Sequence, residues 1–143
     1  MSMSYFPNPN HSDMSWVNKI IDGVNRHQRL FASLANAAGQ TLTAAQVVNA
    51  ILSRSGAAAV SDTLPTAAQM VANLVGCQVG STFEFTVLNG NSGTLTVLTG
   101  AGVTLTGNAT VAAGSVRRFI GVVNNATAGS EAVTVQNVGT WTL

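Results

Sequence analysis

The sequence predicts a mainly β chain: a jelly-roll or β-sandwich-like domain with an N-terminal arm and short helices. Three observations carry that prediction. From residue 77 onward, apolar residues alternate with Thr in short runs between Gly- and Asn-containing turns, the pattern of half-buried strands. Between 41 and 76, two Thr-Ala-Ala-Gln strings each open an apolar run, a start signal for helices. Before residue 40, a proline-rich opening leads into one amphipathic face. The organisation read from these shifts is an arm over 1–40, partly helical; two short capped helices over 41–76 leading into the β-domain; and the β-domain itself over 77–143.

In chain order, Phe6-Pro7-Asn8-Pro9-Asn10 favours extended backbone, because each proline fixes its own φ and restricts the residue before it. Ser12 or Asp13 then caps a helix. Trp16, Val17, Ile20, Ile21 and Val24 fall at i, i+1, i+4, i+5 and i+8, one helical face, which Gly23 weakens. Leu30, Phe31, Leu34 and Ala38 continue a helical spacing to a stop at Gly39. Such a face packs on its own domain or docks on a neighbour.

Thr43-Ala44-Ala45-Gln46 recurs as Thr66-Ala67-Ala68-Gln69. In this capping box the Thr hydroxyl takes the amide proton three residues on, and the Gln side chain reaches back. The expected helices are 44–50 and 67–74, the second entered from Pro65. Between them Ile51-Leu52-Ser53-Arg54 reads as a strand and 56–62 as a loop. A single repeated pair falls short of a solenoid.

The remaining strands are expected at 83–88, 94–97, 103–106, 110–112, 116–123, 132–138 and 140–143, with turns at 89–93, 99–102 and 107–108 and a loop at 124–130. Strands at such short, regular spacing signal a sandwich, jelly roll or barrel. Thr fills the outward positions. It is a good strand former, but it carries no charge to discourage contact between sheets.

Composition excludes several functions. Of 143 residues 46% are hydrophobic and only 8% charged, with six Lys and Arg against five Asp and Glu; an ordinary soluble domain is about 25% charged. A disordered chain is charge-rich and apolar-poor, so that class is excluded. The scattered cations lay down no basic stripe, which argues against nucleic acid. Mean hydropathy is +0.31, yet no apolar run approaches the roughly 20 residues of a membrane span. A transmembrane barrel wants aromatic girdles, which 6% aromatics do not supply. The apolar, small-polar surface is therefore expected to be covered by other copies or partners, as in an obligate oligomer or assembly component. Residues 1–10 lack the pattern of a signal peptide, so the expectation is a cytosolic protein, or one carried out of the cell in something larger. The two sequons, at Asn108 and Asn125, matter only on secretion.

No catalytic constellation is legible. His11 and His27 stand apart. The acids Asp13, Asp22, Asp62, Glu84 and Glu131 form no pair at motif spacing, and zinc, calcium, P-loop and G-x-S-x-G patterns are lacking. Gly100-Ala101-Gly102 leads into a strand and reads as a turn. Lone Cys77 reads as a small buried residue. The expectation is a non-enzyme with no cofactor, no metal and no small-molecule substrate. Arg117 and Arg118 lie in one strand and must point to opposite faces. One faces inward or into an interface, in an ion pair with Glu131 or Glu84 or against an acidic partner. Trp141 reads as a core plug or a recognition anchor, and Trp16 as a docking anchor.

Several stretches together resemble a known group. They are Thr43-Ala44-Ala45-Gln46-Val47-Val48, Asp62-Thr63-Leu64-Pro65-Thr66-Ala67-Ala68, the run from Val79-Gly80-Ser81-Thr82 through Phe83-Glu84-Phe85-Thr86-Val87-Leu88-Asn89, Thr99-Gly100-Ala101-Gly102-Val103-Thr104-Leu105, Ser115-Val116-Arg117-Arg118-Phe119, Asn124-Asn125-Ala126-Thr127, and Ala132-Val133-Thr134-Val135-Gln136-Asn137. Over about residues 41–138 the chain is similar to tailed-phage capsid decoration (cement) and head-fibre proteins. The resemblance implies a β-rich virion protein made in the host cytoplasm. It would sit on the outer capsid surface, with the major capsid protein as partner and a homotrimer as its own assembly. It implies shell stabilisation by binding alone; a tail-fibre, spike or head-fibre module that binds host or glycan is the alternative. Contact with capsid or subunit would fall to Tyr5, Phe6, Trp16, Ile20, Phe31, Arg117, Arg118 and Trp141.

Overall fold

The computed structural model describes residues 29–35 and 38–143. Among the described residues, nine strands and two helices follow one another as β1 (Leu30–Ala35), α1 (Ala44–Val47), β2 (Ala50–Ser55), β3 (Val60–Thr63), α2 (Ala67–Asn73), β4 (Thr82–Asn89), β5 (Leu95–Leu98), β6 (Val103–Thr106), β7 (Thr110–Val111), β8 (Ser115–Asn125) and β9 (Ala132–Thr142). They build a mainly β, sandwich-like domain from a six-stranded sheet, in order β1-β2-β4-β8-β9-β6, and a three-stranded sheet, in order β3-β5-β7. The pairs β1–β2, β2–β4, β3–β5 and β6–β9 are parallel, which sets the fold apart from an antiparallel jelly roll. Residues 50–63 supply strands to both sheets, so the middle zone is woven into the sandwich.

One buried cluster joins the layers: Leu52, Phe85, Val87, Phe119, Val133 and Val135 come from the large sheet, Val60, Leu95, Val97 and Val111 from the small one, and Val47 and Met70 from the helices. Phe85 and Phe119 are register partners whose rings stack at 4.9 Å, an arrangement that adds about 1 kcal/mol beyond area burial. Beside them Phe83 lies over its partner Gly121, and a Cβ there would meet the ring at 2.2 Å.

Strand β1 corrects the helix expected from Leu30, Phe31, Leu34 and Ala38. Their spacing fits a helix, but Ala32 and Leu34 pack against the core while Phe31, Ser33 and Ala35 are exposed. The backbone instead joins β2 in a parallel ladder, and tertiary pairing overrides local spacing. The expected helix face over 16–24 lies outside the described residues.

Both helix starts form as expected. Thr66 N donates to Gln69 Oε1 at 2.9 Å and Gln69 N to Thr66 Oγ1 at 3.2 Å; Thr43 N donates to Gln46 Oε1 at 2.9 Å. Helix α1 stops three residues short of the expected 50 because Asn49 turns to a φ of 55°, the left-handed conformation that asparagine tolerates, and Ala50 opens β2.

Strand β3 corrects the loop expected at 56–62. A polar Val-Ser-Asp-Thr string has no apolar alternation to announce it. Asp62 nevertheless points inward and is fully buried, because Arg54 of β2 meets it there: Nε to Oδ2 at 2.8 Å and Nη2 to Oδ1 at 3.1 Å. Arg54 also donates to the carbonyls of Leu34 and Ala38, and Asp62 Oδ1 accepts from Gln40 N at 2.9 Å. One buried pair thus fastens β1 and residues 38–40 to both sheets. The two C-terminal runs, expected as separate strands, are one strand with a bulge. Arg118 pairs Gly139 and Phe119 pairs Asn137, leaving Val138 extra.

Candidate interaction surface

The large sheet has two faces, and register assigns every side chain to one of them. The inward face carries the core. On the outward face, register partners run Phe31–Ile51–Thr86–Arg118–Gly139 and, one row on, Ser33–Ser53–Leu88–Val116–Trp141. A third row runs Glu84–Ile120–Gln136–Thr106. None of the outward apolar side chains belongs to the buried cluster. Phe31 is 61% exposed and Trp141 54%.

Three of the candidate contact residues, Phe31, Arg118 and Trp141, therefore share this one face, although they are far apart in sequence. Trp141 is not a core plug. Its indole lies over Gly139, where a Cβ would come within 2.8 Å of Cη2. Arg118 pairs with Glu84, as does Arg29, so the expected partnership with Glu84 falls to Arg118. These guanidiniums are about two-fifths exposed, and pairs in such settings contribute about 0–1 kcal/mol. The triad holds one acid between two bases on an otherwise uncharged face. Tyr5, Phe6, Trp16 and Ile20 lie outside the described residues.

Arg117 points the other way. It is 7% exposed, its Nη1 donates to Asn108 O at 2.9 Å, and its enclosed Nε has no acceptor. Burial pushes its pKa below the ordinary arginine value. No acidic side chain among the described residues pairs with it.

At the same end of the sandwich, fully buried Asn89 bridges the layers. Its Nδ2 donates to the carbonyls of Val111 at 2.8 Å, Gly93 at 2.9 Å and Ala112 at 3.1 Å, and its Oδ1 accepts from Asn91 N. From the sequence, Asn89 and Asn91 read only as turn residues. Asn89 ends a strand of alternating apolar residues on their inward side, and that position was the available signal.

Two cavities formed by described residues offer binding shape but no free titratable group. A groove of about 550 Å³ runs between the helices, lined by Thr41, Leu42, Ala44, Gln69, Ala72 and Asn73 among others, with no titratable side chain. A smaller cleft of about 240 Å³ beside Asn49 and Phe83 holds one acid, Glu84, already paired. No group of three His, Cys, Asp or Glu placed to hold a metal ion is found among the described residues. No helix there is long and apolar enough to cross a membrane. What this arrangement offers a partner is a broad, nearly uncharged face with an aromatic at each side.

Comparison of the chain with protein-family models, curated proteins and solved structures finds no match.

Proposed function

We propose that the chain is a structural virion protein that binds the outer surface of a tailed-phage capsid and stabilises the shell as a decoration, or cement, protein. It acts by binding alone, as a homotrimer whose partner is the major capsid protein. The observation that carries this reading is the outward face of the six-stranded sheet, apolar and Thr-rich with Phe31 and Trp141 exposed on it. It fits what the stretches over 41–138 lead one to expect from their resemblance to decoration proteins.

Size decides how such a face works. Six strands about 4.8 Å apart, with rows spanning about 20 Å, present on the order of 500 Å². A standard interface takes about 800 Å² per partner. One face gives a weak contact, so a trimer engaging several lattice points at once supplies the avidity. A ligand that binds only the assembled shell stabilises it by mass action, about 2.7 kcal/mol per site at a hundredfold excess over Kd.

The test is co-sedimentation of purified protein with mature, undecorated heads. The expected result is saturable binding at a lattice-like stoichiometry, raised thermal resistance of the heads, and at least tenfold weaker binding by Trp141→Ala or Phe31→Ala. Binding to tails, host cells or glycans with none to heads would overturn it in favour of a fibre module.

A further inference from the structure

The large sheet has an open edge. Strand β6 covers β9 only from Val133 to Gln136. Beyond that, β9 is paired with β8 on one side and, among the described residues, with no strand on the other. Natural edge strands are guarded by Lys, Glu, Pro or inward charges, and residues 137–143 read Asn-Val-Gly-Thr-Trp-Thr-Leu. Val138 is 46% exposed, Trp141 54% and Leu143 65%.

Charge points to what covers this edge. Among the described residues, Asp62 is paired with Arg54, and Glu84 with Arg29 and Arg118. Two charged side chains among them remain without an ionic partner: the Arg117 guanidinium and the Glu131 carboxylate. The latter accepts only the nearby Gly129 N–H at 3.0 Å. Arg117 is the register partner of Thr140, directly beside the open edge. Its Nη1 is committed to Asn108 O and its Nε is enclosed, which leaves Nη2 to meet a carboxylate. Glu131 sits at the opposite end of the β8–β9 hairpin, next to the Asn125–Ala132 pair. Eight strand residues separate Arg117 from Asn125, about 26 Å at about 3.3 Å per residue. The two charges cannot meet within one chain, but they can meet between two.

We propose that the open edge of β9, Asn137 to Thr142, is the site at which a second copy of this chain docks, head to tail. The second copy's hairpin end brings Glu131 against Arg117. The contact uses two different patches, so it is heterologous, and repeated around an axis it closes a ring. The buried guanidinium gains the carboxylate it lacks, and the apolar edge leaves water. This specifies the interface behind the self-association part of the reading above, and it does not depend on capsid binding.

The test uses the full chain without heads. Sedimentation equilibrium at micromolar concentration is expected to find a closed oligomer. Val138→Lys, a charge on an exposed edge position, and Glu131→Lys are each expected to weaken association at least tenfold. Far-UV circular dichroism should stay unchanged, as should the urea midpoint measured dilute enough for the wild type to be monomeric. In a Cys77→Ser background, a mixture of Thr140→Cys and Glu131→Cys chains treated with a short bismaleimide is expected to give the mixed cross-linked dimer, and Thr140→Cys alone none. A monomeric wild type, full association by both lysine variants, or cross-links only between like positions would each overturn the proposal. Head binding by a monomer would sink the ring and leave the capsid reading standing. An intact ring that ignores heads would do the reverse.

Discussion

Replacing Asp62 with alanine tests the buried clamp most severely. Arg54 and Asp62 are both fully buried. The change removes the carboxylate contacts at 2.8 and 3.1 Å and the acceptor of the Gln40 amide. The guanidinium is left charged in the interior without its carboxylate, although it still donates to the carbonyls of Leu34 and Ala38. Breaking a buried pair from one side costs about 3–5 kcal/mol, against a total stability of about 5–15 kcal/mol for a domain. With a urea slope of about 1.5–2 kcal/mol/M, the midpoint should fall by about 2 M. The double replacement Arg54→Met with Asp62→Leu should recover a good part of that, because a well-packed apolar pair escapes the desolvation cost. It will not recover all, since the Gln40 amide and two carbonyls still lose their partners. Native-state hydrogen exchange adds location: the Gln40 amide and the β1 ladder should lose protection first. A midpoint shift below about 0.5 M for Asp62→Ala, or protection lost uniformly, would refute the view that this pair fastens β1 to the sandwich.

Three further outcomes are expected. Gly121→Ala places a Cβ 2.2 Å from the Phe83 ring, an overpacking that should cost about 1–3 kcal/mol; adding Phe83→Leu should restore part of it in urea melts. Asn89→Ala strips donors from three carbonyls and an acceptor from the Asn91 amide. A loss of about 2–4 kcal/mol is expected, with exchange protection at β7 falling alongside. Thr66→Ala removes the hydroxyl half of the complete capping box and should cost about 1 kcal/mol by thermal unfolding.

What was legible in the sequence follows from how local each cause is. Phe83, Phe85 and Val87, then Phe119 and Val123, announce β4 and β8 because their alternation is itself the burial pattern. The capping boxes are legible because Thr and Gln sit three residues apart. Strand β3 was not, because Asp62 earns its inward place only from Arg54, eight residues back on a strand of the other sheet. Strand β1 failed for the opposite reason: Leu30, Phe31 and Leu34 suit either period, and pairing to β2 decided it. Likewise Phe31, Arg118 and Trp141 each stand out singly in the sequence, but the register that sets them on one face depends on four strand pairings and a bulge at Val138.

The order of strands in the large sheet also dictates an order in time. The β8–β9 hairpin closes over a short loop, whereas β2 waits for β4, as the pairing of Ile51 with Thr86 requires, and β1 waits for β2. Closing such separations before any contact rewards them is slow, so folding on the millisecond-to-second scale typical of non-local β topologies is expected. The nucleus should form around β8, β9 and β4, and β1 should be absent from the transition state. Substitutions at Ala32 or Leu34 would then leave the folding rate almost untouched and accelerate unfolding instead. The clamp at Arg54 acts in kinetic terms as a latch, shut after the rest of the sandwich has formed and governing how long it stays formed.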